Sequence, residues 1–130
     1  KLITILVVIL IINVFICPVK AQNWGNWTQS TCYKGIYHRA SKSEYGRWVI
    51  QFKNTYLENN DAHFSWEVYS DRSCTKYISL NNRSTCAKQG TIEIGLGEYA
   101  YLSQIWVVVK DLRFAETEYE DNGEYYKCDK

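Results

Sequence analysis

Apolar and polar residues alternate most cleanly over Asp61–Ser70, where Phe64, Trp66 and Val68 take one face and His63, Ser65 and Glu67 the other. A period of two marks a half-buried strand. Arg47–Tyr56 repeats the pattern, with Trp48, Ile50 and Phe52 on one face and Gln51 and Lys53 on the other. The intervening Leu57–Asp61 is loop chemistry, so these two strands are expected to form a hairpin. Ser103–Phe114 is apolar on both sides over Ile105–Val109 and then alternates through Leu112 and Phe114. Such a run predicts a central strand covered on both faces.

Shorter strands are expected at Tyr33–Arg39, Thr75–Leu80, Thr91–Ile94 and Glu124–Cys128, separated by turns at Asn81-Asn82, Gly95–Gly97 and Asp121–Gly123. Arg83–Gln89 has neither period and leaves room for a short helical turn. No segment sustains a helical repeat, and about seven short strands at this spacing predict an all-β domain, a single antiparallel β-sandwich.

The N-terminus follows a different rule. Leu2–Ile12 is apolar apart from Thr4, follows Lys1, and leads through Asn13 and Pro18 to the small-residue site Val19-Lys20-Ala21. A basic start, a short apolar stretch and such a site predict a Sec-type signal peptide over 1–21, cleaved before Gln22. A transmembrane anchor is the alternative reading, but about 20 uninterrupted apolar residues are needed to cross a bilayer. A lipoprotein anchor fits less well because Ile16, not a small residue, precedes Cys17. The expected domain is residues 22–130, exported to a secreted or periplasmic location with no membrane span after cleavage.

Cleavage removes Cys17 and leaves Cys32, Cys74, Cys86 and Cys128. In a short exported chain without a Cys-x-x-Cys pair, four cysteines predict two disulfides rather than a zinc site. The expected pairing is nested, with Cys32 to Cys128 closing the domain ends and Cys74 to Cys86 across the Asn81-Asn82 turn. Loss of Lys1 and Lys20 reduces the 15 basic residues to 13 against 14 acidic ones, a net charge of −1. That balance gives no general attraction for nucleic acid, and none is expected as a partner.

Catalytic signatures are sparse. His38, His63, Glu67, Arg39 and Arg47 supply the residue types of a secreted nuclease, but His63 and Glu67 on one strand stand about 13 Å apart. No Gly-x-Ser-x-Gly elbow occurs, and the cysteines are expected to be oxidised. The acidic stretch Glu116–Glu124 has calcium-type ligands without EF-hand spacing, so it reads as a solvated loop. No metal and no cofactor is expected. The sequons Asn26-Trp-Thr28 and Asn82-Arg-Ser84 bear on the protein only in a eukaryotic secretory pathway.

Cys32-Tyr-Lys-Gly-Ile-Tyr-His-Arg39, Trp48–Tyr56, Phe64-Ser65 and the closing Gly123–Cys128 resemble small, uncharacterised exported proteins of the Bacteroidota. The resemblance covers about a third of the chain. It implies export and a β-rich, cysteine-closed domain, and it assigns no activity or site residues.

Aromatic content is the remaining functional lead, with five tryptophans and eleven tyrosines. Trp48, Trp66 and Trp106 are expected in the core by alternation. Trp24 and Trp27 precede the first cysteine without a strand period, and with Tyr99 and Tyr101 they are the candidate ligand-binding residues. Exposed aromatic rings supply large contact area at low entropic cost. The expected function is therefore an exported, non-enzymatic binding domain for a glycan, envelope or protein partner. Its rivals are a small secreted hydrolase using His38 or His63, and a structural envelope-associated protein.

Overall fold

A computed structural model describes residues 23–97, 99, 101–117 and 125–128. Those residues form seven strands and no helix: β1 (Thr28–Gln29), β2 (Ile36–Lys42), β3 (Trp48–Asn54), β4 (Asp61–Tyr69), β5 (Tyr77–Cys86), β6 (Thr91–Gly95) and β7 (Trp106–Ala115). They make two antiparallel sheets, one in the order β1-β2-β3-β6 and the other β5-β4-β7. The expected signal peptide and most of the acidic loop lie outside the described residues.

Alternation decides which side chains meet between the sheets. Ile36, Trp48, Ile50 and Phe52 of the four-stranded sheet share one core with Ala62, Phe64, Trp66, Val68, Val109 and Leu112 of the three-stranded sheet. Phe52 is the hinge of that contact, its ring 5.1 Å from Phe64 edge-on and 5.3 Å from Trp66. Aromatic pairs in tilted or edge geometry add about 1 kcal/mol each to the burial itself. Trp66 is satisfied as well as buried, since its Nε1 donates to Ser84 Oγ at 2.8 Å.

Several expectations are corrected by the pairing. β3 and β4 are not a hairpin, because β3 pairs with β2 and β6 while β4 pairs with β5 and β7; residues 57–60 carry the chain from one sheet to the other. The central strand of the second sheet is β4, and β7 is an edge. Asn81-Asn82 is not a turn but an irregularity inside β5. Asn81 takes the left-handed conformation at φ 58°, which asparagine tolerates better than most residues. Asn82 then bridges the shifted register, its Nδ2 donating to Trp66 O and its Oδ1 accepting from Ser79 Oγ. Arg83–Cys86 continues β5 rather than forming a helical turn.

A second irregularity changes the inward parity of β7 after the apolar run. Asp111 has φ 52°, and the β4–β7 register shifts beside it. Val107 and Val109 face the core before the shift, and Leu112 faces it afterwards, so the inward parity changes from odd to even. Ser65 Oγ donates to Asp111 Oδ2 across the gap at 2.8 Å.

One expected disulfide is present and one is not. Cys32 and Cys128 are bonded, tying chain positions 96 residues apart. Cys74 and Cys86 are both free. The β4–β5 register places them at opposite ends of the same hairpin: Tyr77, just beyond Cys74, faces Tyr69, whereas Cys86 faces Ala62. Ten residues of strand separate the ends by roughly 30 Å, and a disulfide tolerates about 7 Å between Cα atoms. Burial pushes the Cys86 thiol up, and it sits 3.3 Å from Gly90 O.

The expected last strand is absent among the described residues 125–128. Instead Tyr126 N donates to Leu112 O, and its ring forms a triangle with Tyr56 and Phe114 at 5.2 to 5.4 Å. The disulfide and this aromatic triangle hold the tail.

Candidate functional site

The segment before the first cysteine is sewn onto β2. β1 pairs Thr28 with His38 and Gln29 with Tyr37. Upstream, Gly25 N donates to Ala40 O at 3.0 Å and Ser41 Oγ donates to Asn23 O at 2.6 Å. These bonds lay Trp24 and Trp27 against the outer face of the four-stranded sheet, where both become half-buried.

That face is defined by the residues that alternate with the core set. On β2 and β3 the register places Tyr37 opposite Lys53, and Arg39 opposite Gln51. On β3 and β6 it places Gln51 opposite Glu93. Cross-strand partners share a face, so Tyr37, Arg39, Gln51, Lys53 and Glu93 form one outer surface.

Two cations organise the aromatics there. The Arg39 guanidinium lies 4.9 Å from the Trp24 ring centre and 4.3 Å from that of Trp27. Lys53 Nζ lies 4.4 Å from the Trp27 centre and 5.2 Å from that of Tyr37. Arg39 Nε also donates to Gln51 Oε1 at 2.7 Å, which fixes the plane of the fork. Each cation–π contact at such a partly exposed site contributes about 0.5–1 kcal/mol. Among the described residues no carboxylate lies within ion-pair distance of either Arg39 or Lys53. The result is a ladder, Trp24, Arg39, Trp27, Lys53, Tyr37, in which aromatic rings hold two positive charges without neutralising them.

The other aromatic candidates sit elsewhere. Tyr99 is half-buried against the core, with its hydroxyl 3.5 Å from Ile78 O, and Tyr101 is 78% exposed. Trp106, expected in the core, points away from it: the register pairs Trp106 with Tyr69 and, one step on, Val107 with the fully buried Val68. Tyr69 also pairs with Tyr77 on β5, so Tyr77, Tyr69 and Trp106 make a row across the outer face of the second sheet. A continuous apolar run conceals parity, which is why this row was not visible in the sequence. Beside it Lys110 Nζ and Glu67 form an ion pair at 2.8 Å, and the Tyr69 hydroxyl donates to the same carboxylate. Lys110 and Tyr69 together hold the Glu67 carboxyl below its ordinary range.

The two histidines occupy different sheets and have little in common. His63 is buried with both ring nitrogens engaged, Nδ1 at 2.8 Å from Thr85 Oγ1 and Nε2 at 3.0 Å from Ala115 O. His38 lies beside Phe52, its ring centre 6.5 Å away, and its buried Nδ1 has no partner. Burial pushes its imidazole from an ordinary 6.5 down to about 4. The sequons also differ: Asn26 and Thr28 are exposed, whereas Asn82 and Ser84 are engaged with Trp66.

Neither a known protein family, nor a curated protein, nor a solved structure matches this chain.

Proposed function

We propose that this chain is an exported, non-catalytic binding domain, a disulfide-closed β-sandwich whose contact surface is the outer face of the four-stranded sheet. The observation that carries this reading is the ladder of Trp24, Arg39, Trp27, Lys53 and Tyr37, whose two cations have no carboxylate partner among the described residues. A fold gains little from leaving two unneutralised cations fixed side by side, and it gains a site for a complementary group. Export to a secreted or periplasmic location is supported by the pattern of residues 1–21 and by the Cys32–Cys128 bond, which suits an oxidising compartment.

The hydrolase reading has less support. A general base must reach the proton it abstracts, and both nitrogens of His63 are already committed to Thr85 and Ala115. His38 lies on the other sheet, against Phe52. The test is a glycan array and a pull-down from envelope extract with the wild type, Trp24→Ala and Trp27→Ala, run beside thermal melts. Binding lost with the melting temperature largely retained is the expected result. Unchanged binding with a lowered melting temperature would make the tryptophans purely structural and remove the contact surface. Intact-mass analysis of exported material should show a chain beginning at Gln22, and a membrane-bound species retaining 1–21 would defeat the export reading.

A further inference from the structure

Resting on that contact surface, the geometry points to an anionic polysaccharide as its ligand. Neutral sugars bind such faces by laying a ring on an open aromatic plane. Here the Trp27 ring already carries two cations at 4.3 and 4.4 Å, and Trp24 carries one at 4.9 Å. The rings are engaged with cations, and the charges left without a carboxylate partner among the described residues are those of Arg39 and Lys53. Arg39 has spent only its Nε on Gln51, so the remaining guanidinium donors are available to grip an acidic group in the paired geometry that suits sulfate or carboxylate. Lys53, the diagonal neighbour on the adjacent strand, adds a second point charge, matching a chain that carries acidic groups repeatedly.

The remaining groups on this face favour a saccharide over a nucleic acid. Glu93 projects from β6 opposite Gln51, and both are suited to sugar hydroxyls, one as acceptor and the other through its amide. A carboxylate in that position repels any closely spaced anion, so it favours a chain whose acidic groups are set apart by neutral sugar hydroxyls. Single-stranded nucleic acid also needs open rings for base stacking, whereas Trp27 already has two cations against its ring and Trp24 has one.

The test uses the intact exported protein with dextran sulfate, neutral dextran of the same length, and a single-stranded oligonucleotide of comparable charge. Dextran sulfate should bind saturably, dextran should not, and the oligonucleotide should bind at least about tenfold more weakly. With two cations engaged, log affinity should fall with log salt at a slope of roughly 1.5–2. Arg39→Gln and Lys53→Gln should each weaken dextran sulfate binding by about fivefold to tenfold, with the melting temperature lowered by about 5–10 °C as two cation–π contacts are lost. If Arg39→Gln unfolds the chain, Lys53→Gln and the salt slope of the wild type still decide the matter. Equal binding of dextran, or of the oligonucleotide, would overturn the anionic saccharide and leave the contact surface standing. Absence of any ligand in the array and pull-down, with Trp24→Ala affecting only the melting temperature, would overturn both.

Discussion

The outer faces of the two sheets are built from the same kinds of residue and come out differently. Each has three aromatics and at least one cation: Trp24, Trp27 and Tyr37 with Arg39 and Lys53 on the first, Tyr77, Tyr69 and Trp106 with Lys110 on the second. On the second face the cation is neutralised by Glu67, and Tyr69 spends its hydroxyl on the same carboxylate. On the first face the cations rest on π-faces, which attract positive charge without cancelling it. For these clusters the difference is therefore one of compensation rather than composition: Lys110 is paired with a carboxylate, whereas Arg39 and Lys53 rest on aromatic rings.

The sharpest way to break the comparison is through the tryptophans that alternation alone would group together. Trp66 is 2% exposed and hydrogen-bonded, so Trp66→Ala should cost about 3–5 kcal/mol, whereas Trp106→Ala on the outer face should cost about 1 kcal/mol. Chemical denaturation of both variants measures this. Equal losses would mean that Trp106 belongs to the core and that the second aromatic row does not exist.

The pH effect of a buried imidazole belongs to the first sheet. His38 is depressed to about 4 by burial, so the unfolded chain binds a proton that the folded chain refuses between about 6.5 and 4. The stability this group contributes is present above 6.5 and is lost as pH falls to about 4, at most about 3 kcal/mol. His38→Leu should flatten that part of the pH–stability curve and also relieve the unpartnered Nδ1. A curve unchanged by the substitution would show that the ring is solvated.

Smaller effects test the compensation itself. Lys110→Gln should change dextran sulfate binding less than about twofold, against about tenfold for Arg39→Gln, because an already paired cation offers little to a ligand. Glu67→Gln should then give the second face a weak, salt-sensitive affinity for the same probe by releasing Lys110. Its effect on stability should be about 0.5 kcal/mol or less, as for exposed ion pairs generally. If Glu67→Gln gains no affinity, neutralisation is not what distinguishes the two faces.

Much of this fold is legible in the sequence. Period-two alternation locates β3 and β4 closely and gives the inward residues Trp48, Ile50, Phe52, Phe64, Trp66 and Val68, while residue type and the bounding turns locate β6. The all-β class and the Cys32–Cys128 bond were also legible, the first from residue type and spacing, the second from the position of the two cysteines near the ends of the domain. Alternation is a local consequence of the pleat, so a strand announces its two faces wherever one is dry and the other wet.

Pairing is not local, and there the sequence was silent or misleading. Nothing in Leu57–Asp61 distinguishes a hairpin loop from a crossover between sheets, because both need the same turn residues. Asn81-Asn82 has turn chemistry, yet it serves a strand irregularity that depends on Trp66 O from a neighbouring strand. The parity change at Asp111 was hidden by apolar residues on both sides, which put Trp106 on the wrong face. Cys74 and Cys86 are close in sequence and far apart along the hairpin, a separation fixed only by register. The cation–aromatic ladder follows the same rule: Trp24 and Trp27 stand out in the sequence, but Arg39 and Lys53 become their partners only when β1, β2 and β3 are laid side by side. Which residues form strands is decided by each side chain's local contest between core and solvent, whereas which charges and rings meet is decided by hydrogen-bond registers between segments remote in the chain.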